Sequence, residues 1–296
     1  MSYINVGSQT SGEINIYYED QGKGRPVILI HGWPLSSASW GKQVEALLKA
    51  GYRVIAYDRR GFGQSSKPAN DYNYDTFTED LNKIITKLDL NDIVLVGFSM
   101  GGGEVARYLG KYCSRRVSKA VFISSVGPYL IKTEDNIYGF AEGFFNGIKK
   151  AITENQTMFL QQFFSDFYNL NSSPNIIGKE VIQSNMEAAM NASKTALLEC
   201  VSAWKTDFRQ DLEGVDIPVL VIHGDSDRIL PLSITGQRIS ETIKGAKLSV
   251  IEGGPHGLTW THANQINQQL LEFLSKGKPE ELWERISKPS SRQPVR

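Results

Sequence analysis

Ile93-Val94-Leu95-Val96-Gly97-Phe98-Ser99-Met100-Gly101-Gly102-Gly103-Glu104-Val105-Ala106-Arg107-Tyr108-Leu109 is the stretch that decides the fold. It opens as a short apolar run of strand type and closes, from Gly103 onward, with helical character. Between them Gly97-Phe98-Ser99-Met100-Gly101 reads Gly-x-Ser-x-Gly, a turn that lifts a serine hydroxyl off the end of a buried strand and aims a helix N-terminus at it. The turn is so tight that the serine takes an unfavourable backbone conformation, and flanking glycines avoid the clashes a Cβ would make.

Working outward, other apolar runs end in the same kind of place. Pro26-Val27-Ile28-Leu29-Ile30 ends at His31-Gly32, and Arg53-Val54-Ile55-Ala56-Tyr57 ends at Asp58. Lys119 to Ile123 ends at Ser124-Ser125, Pro218 to Ile222 at His223-Gly224-Asp225, and Lys247 to Ile251 at Glu252-Gly253-Gly254. Runs that are apolar throughout suit strands buried on both faces of a parallel sheet. Helical stretches at 40–50, 76–88 and 264–274 alternate with them, so the class is α/β. Residues 12–20 pair with 2–6 as an antiparallel opening hairpin. In such sheets chemistry lies beyond the carboxyl ends of the strands.

The alternation stops between about 127 and 213, where Tyr138, Phe140, Phe144, Phe145, Phe159, Phe163, Phe164, Phe167 and Trp204 fall in helical company. The expected organisation is therefore a core of residues 1–126 and 214–275, a helical cap of 127–213, and a flexible tail of 276–296. Leu282, Trp283 and Ile286 of that tail would form a helical turn or two against the body. Of the chain's 296 residues, 41% are hydrophobic, enough for a large core; Lys plus Arg equals Asp plus Glu, 32 each. That balance favours neither nucleic acid nor an anionic membrane as partner. Cys113 and Cys200 are read as buried free thiols in helices. With no basic segment leading into an apolar run and no stretch of membrane-spanning length, the expected location is cytoplasmic.

A neutral serine hydroxyl needs a base, and the base needs an acid to hold its tautomer. Of the four histidines, His31 and His223 end strands as structural groups, and His262 begins the last long helix. His256, in the loop Gly253-Gly254-Pro255-His256-Gly257, is free to reach Ser99 and is the candidate base. The acid belongs after another strand end, between Ser and His in chain order. Asp225 and Asp227 compete there; Asp227 is chosen because Asp225, nearer the strand, caps the turn. A tetrahedral oxyanion needs two aimed N–H donors: Met100, at the start of the helix, and Trp33, in His31-Gly32-Trp33-Pro34. The glycine-rich Asp58-Arg59-Arg60-Gly61-Phe62-Gly63-Gln64-Ser65 lacks the spacing of a phosphate or dinucleotide loop and is expected to be a turn held by Arg–Asp hydrogen bonds. No Cys/His cluster has metal spacing, so neither metal nor cofactor is expected.

Taken together, His31-Gly32-Trp33-Pro34, Asp58 to Gly63, Gly97 to Tyr108, His223-Gly224-Asp225-Ser226-Asp227 and Pro255-His256-Gly257 resemble the α/β-hydrolases known as cofactor-free haloperoxidases or bacterial arylesterase/perhydrolases. The likeness runs from about residue 12 to 275, and nothing in the family corresponds to the tail beyond it. The resemblance implies a mostly parallel eight-stranded sheet with helices on both faces and a helical cap. It implies a triad of Ser99, Asp227 and His256, oxyanion donors at Trp33 and Met100, and a small ester as substrate. It also implies an aromatic acyl pocket near Phe98, Val126, Phe163, Phe167, Trp204, Ile229 and Leu232. Water or hydrogen peroxide would resolve the acyl-serine, and the peracid formed with peroxide would oxidise halide without metal or haem. Two readings of Pro34 stay open: it shapes the loop only, or it turns the Trp33 carbonyl to accept a hydrogen bond from peroxide. Family members often assemble, so a homo-oligomer is compatible with the likeness. Amide, lactam or C–C cleavage on the same triad is the alternative enzyme class, and a non-catalytic ligand receptor the alternative outside enzymes. Epoxide hydrolases and dehalogenases are disfavoured, because they carry aspartate where this chain has Ser99.

Overall fold

A computed structural model describes residues 2–10 and 12–275; the tail reading for 276–296, with Leu282, Trp283 and Ile286, lies outside the described residues. The strands are β1 (Ser2–Gln9), β2 (Gly12–Gln21), β3 (Pro26–Ile30), β4 (Arg53–Tyr57), β5 (Ile93–Phe98), β6 (Val117–Ile123), β7 (Val219–Gly224) and β8 (Lys247–Ile251). They form one eight-stranded sheet in the order β1-β2-β4-β3-β5-β6-β7-β8. β1 and β2 run antiparallel, as does the β2–β4 pair, and every pairing from β4 to β8 is parallel.

Crossover helices make that parallel order possible. They are α1 (Gly41–Lys49), α2 (Tyr74–Lys87), α3 (Met100–Tyr112), α4 (Glu142–Phe167), α5 (Lys179–Asn191), α6 (Lys194–Ala203), α7 (Arg209–Glu213) and α8 (Gly236–Thr242), and α9 (Leu258–Thr261) and α10 (Ala263–Ser275) follow the last strand. Sheathed by them, β5 and β7 are buried at every position, which is why their sequences do not alternate. β8 departs from that reading. As an edge strand it leaves Leu248 and Val250 exposed, so its apolar run does not mark burial on both faces.

Four helices, α4 to α7, intervene between β6 and β7, and the first of them is broken at Asn155, whose side chain caps the second half through the Met158 N–H at 3.0 Å. Its carboxyl half lies over the strand ends: the Phe167 carbonyl accepts from the Gly257 amide at 2.9 Å, and Phe163 meets Trp33 edge-on at 5.1 Å. No helix among the described residues is long and apolar enough to cross a membrane.

One local expectation is corrected. Cys200 is buried, but Cys113 is exposed, because it stands just past the end of α3 with φ at 57°. The glycine-rich turn is held by the expected kind of Arg–Asp bonding, Arg60 reaching Asp80 of α2 through two hydrogen bonds of 2.7 Å. Asp58 adds to it by accepting the backbone amides of Ser37 at 2.7 Å and Gln64 at 2.8 Å, and Arg59 pairs with Glu104 of α3 at 2.8 Å.

Candidate active site

Ser99 stands between β5 and α3 with φ 53° and ψ −119°, outside the regions an L-residue prefers. Three hydrogen bonds hold it there. Its N–H donates to the Ile123 carbonyl at 2.9 Å, and its own carbonyl accepts from Gly102 at 3.0 Å and Val126 at 3.1 Å. Over-determined backbone of this kind sustains strain at a site. The glycines are needed for close approach. A Cβ on Gly101 would lie 2.2 Å from the Ile30 carbonyl oxygen, and one on Gly32 would lie 2.9 Å from the Ser99 Cβ. Helix α3 thus abuts the end of β3, which brings its first turn and the His31–Pro34 loop side by side.

The Ser99 hydroxyl lies 2.9 Å from Nε2 of His256, and Nδ1 of His256 lies 2.7 Å from Oδ2 of Asp227. Ser99 is 6% exposed and His256 wholly buried. An ionised Asp227 accepts Nδ1–H, leaving Nε2 to accept the serine proton. Asp227 is itself gripped: Oδ1 accepts the Ile229 and Leu230 amides at 2.9 and 2.8 Å. The Nε2–H of His223 is shared between the Leu230 carbonyl, 2.8 Å away, and Asp227 Oδ2, 3.2 Å away. Burial disfavours the Asp227 carboxylate, but the two histidines against it outweigh burial and hold its carboxyl well below the usual carboxylate range. Asp225 faces elsewhere, with Oδ1 accepting the Gly253 amide at 2.8 Å and the Ser226 hydroxyl at 3.0 Å.

Met100 opens α3, and its amide, like that of Trp33, donates to no group among the described residues. Two free donors therefore flank the serine, one of them at the positive end of a helix dipole. The Trp33–Pro34 peptide is cis. The carbonyl before the Trp33 amide, that of Gly32, accepts from Nδ1 of His31 at 2.8 Å and from the Leu35 amide at 3.0 Å.

A cavity of about 220 Å³ adjoins the site on its Trp33 side, and neither Ser99, Met100 nor His256 lines it. Phe163, Trp204 and Ile229 line it, together with Trp33. Of the other residues expected there, Phe98 and Phe167 pack on the His256 ring with centroids 5.2 and 4.9 Å away and serve as its bed. Val126 is bonded through its amide to Ser99, and Leu232 begins a short 3-10 turn; neither lines the cavity. The remaining walls, which sequence reasoning did not assign, include Leu130, Phe140, Phe144, Phe145, Ile148 and Phe159, with Gln162, Asp166 and Arg228 as polar members. The aromatic density of 138–167 was their signal, but it does not say which helix face turns inward. Among the described residues no cluster of three or more His, Cys, Asp or Glu side chains is arranged to hold a metal ion.

Residues 25–263 match the family model of the alpha/beta hydrolase fold. The chain is 53% identical over 275 residues to a putative non-heme chloroperoxidase of Synechocystis, covering 93% of this chain and all of that one. It is 36% identical over 273 residues to a bifunctional esterase/perhydrolase of Acinetobacter calcoaceticus, covering 90% of this chain and 98% of that one. Among solved structures, the bromoperoxidase from Bacillus anthracis superposes with a TM-score of 0.90 at 45% identity, over 93% of this chain and 99% of that one. In sequence and in architecture, the chain belongs to the α/β-hydrolase fold family.

Proposed function

We propose that the protein hydrolyses small carboxylic esters through an acyl-Ser99 intermediate, and that hydrogen peroxide can replace water in resolving it. The observation that carries this reading is the continuous line from the Ser99 hydroxyl through His256 to Asp227, with spacings of 2.9 and 2.7 Å. His256 takes the serine proton as Oγ attacks the ester carbonyl, and Asp227 stabilises the imidazolium so formed. The Trp33 and Met100 amides receive the negative charge that develops on the carbonyl oxygen. His256 then returns the proton to the leaving alcohol. Water, deprotonated in turn by His256, releases the carboxylic acid; hydrogen peroxide in its place releases a peracid. A peracid passes one oxygen to a halide ion, giving carboxylate and hypohalite, so the relatives named non-heme chloroperoxidases support the same site chemistry.

The helices between 127 and 213 act in this reading as a cap over a core of 1–126 and 214–275. The cavity beneath it, about 220 Å³ and walled by Phe163, Trp204 and Ile229, suits a compact apolar or aromatic acyl group. The test is p-nitrophenyl acetate turnover, and bromination of a dye with added peroxide and bromide, by wild type and Ser99→Ala. Both activities should fall by roughly 10⁴ or more in the variant. Retention of most ester turnover by Ser99→Ala would show that another group carries the reaction.

A further inference from the structure

We propose that the buried Arg59–Glu104 pair is a positioning device that fixes both oxyanion donors relative to each other. The inference rests on the acyl-serine reading and adds residues that touch no substrate. Arg59 Nε donates to Glu104 Oε2 at 2.8 Å, with both side chains essentially without exposure. Tyr57 donates its hydroxyl to the other carboxylate oxygen.

From this pair one line of contacts runs to each donor. Glu104 lies four residues after Met100 on α3, one turn along the same face. On the other side, Arg59 holds His31 twice: its backbone N–H donates to Nε2 at 2.9 Å and its Nη2 to the His31 carbonyl at 3.0 Å. The ring so fixed donates from Nδ1 to the Gly32 carbonyl at 2.8 Å. That carbonyl and the Trp33 N–H belong to one planar peptide, so the direction of the first sets the direction of the second. The ion pair therefore spans the gap between the loop that carries one donor and the helix that carries the other.

Stability is a weak reason for such a pair. Desolvating two charges offsets their attraction, and apolar residues of similar volume often serve as well. Arg59 even leaves Nη1 buried without a partner. Burial pushes the Glu104 carboxyl upward, and Arg59 and Tyr57 offset part of that push.

The experiment compares wild type with Arg59→Lys, the double variant Arg59→Met/Glu104→Gln and Tyr57→Phe. It reads kcat, KM and affinity for a trifluoromethyl ketone, which forms an oxyanion on Ser99. Arg59→Lys keeps the charge but loses the fork, and should lower kcat on the order of tenfold. The double variant should lower it by about 10²-fold, the effect of misplacing a reacting group by about 1 Å. KM should barely move, and ketone affinity should fall in step with kcat/KM. Tyr57→Phe leaves the ion pair in place and should show a smaller loss of the same kind; it supplies the measurement if the charge variants do not fold. Folded variants with wild-type kcat and ketone affinity, beside an active wild type, overturn the positioning role alone. A wild type that neither turns over esters nor binds the ketone overturns the hydrolase reading and this inference with it.

Discussion

Gly101→Ala should cripple turnover while leaving the fold intact. The added Cβ would stand 2.2 Å from the Ile30 carbonyl oxygen, 2.9 Å from its carbon and 3.0 Å from the His31 oxygen, all of them backbone atoms. Ordinary contact needs about 1 Å more, so α3 must retreat from the end of β3 by about that distance. Overpacking of this sort costs roughly 1–3 kcal/mol. The catalytic cost is larger in proportion, because the retreat carries the Met100 amide away from the Trp33 amide. Displacement by about 1 Å is worth about 10²-fold in rate. Ester turnover under saturating substrate, with denaturant unfolding in parallel, separates the two effects. Gly147→Ala is the control: it sits exposed on α4 with nothing within 4 Å of the new methyl, and should stabilise by roughly 0.5–1 kcal/mol without touching kcat. A Gly101→Ala enzyme of wild-type kcat would refute the claim that the abutment of α3 on β3 sets the oxyanion site.

Asp227→Asn should reduce kcat by about 10⁴, because the neutral amide no longer fixes the His256 tautomer, whereas Asp225→Asn, whose side chain bonds Gly253 and Ser226 and not His256, should change it little; equal losses in steady-state turnover would contradict that division. Stability should also depend on His31, whose pKa burial and then Arg59 hold well below the ordinary histidine value. The unfolded chain binds that proton below about pH 6.5 and the folded protein does not, so the contribution of His31 is complete above about 6.5 and is lost as pH falls towards the folded pKa. The slope is at most about 1.4 kcal/mol per pH unit for one proton. Urea unfolding of wild type and His31→Gln between pH 5 and pH 7.5 measures it, and identical slopes would rule the effect out.

Much of the sheet is legible in the chain. Residues 26–30, 53–57 and 247–251 are read to their last residue, because each apolar run is bounded by turn-forming or charged neighbours. The start of α3 is not. Its glycines at 101–103 depress helix propensity, so the pattern turns helical at 103, yet the helix begins at Met100. Tertiary packing decides there: a Cβ at Gly102 would strike the Ser125 hydroxyl at 1.6 Å, and one at Gly103 the Tyr74 ring at 2.6 Å. Ser99, His256 and Asp227 can be picked out because each follows a strand end, and strand ends are the best-determined points in this sequence. The cavity walls are legible only in part: Phe163, Trp204 and Ile229 are expected there and line it. That Phe144 and Phe159 join them depends on the break at Asn155 and on how α4 rests against Trp33, neither of which leaves a local mark.

The helical insertion between β6 and β7 has a consequence for how this chain divides its labour. The Ser99–His256–Asp227 line runs entirely through segments at strand tips, whereas most of the chamber proposed for an acyl group is built from one contiguous length of sequence, roughly 130–166, with Trp33, Trp204 and residues 228–230 closing it. Selectivity can be rewritten in that length while the reactive serine keeps its neighbours, so long as the aromatic rim still braces the indole at position 33.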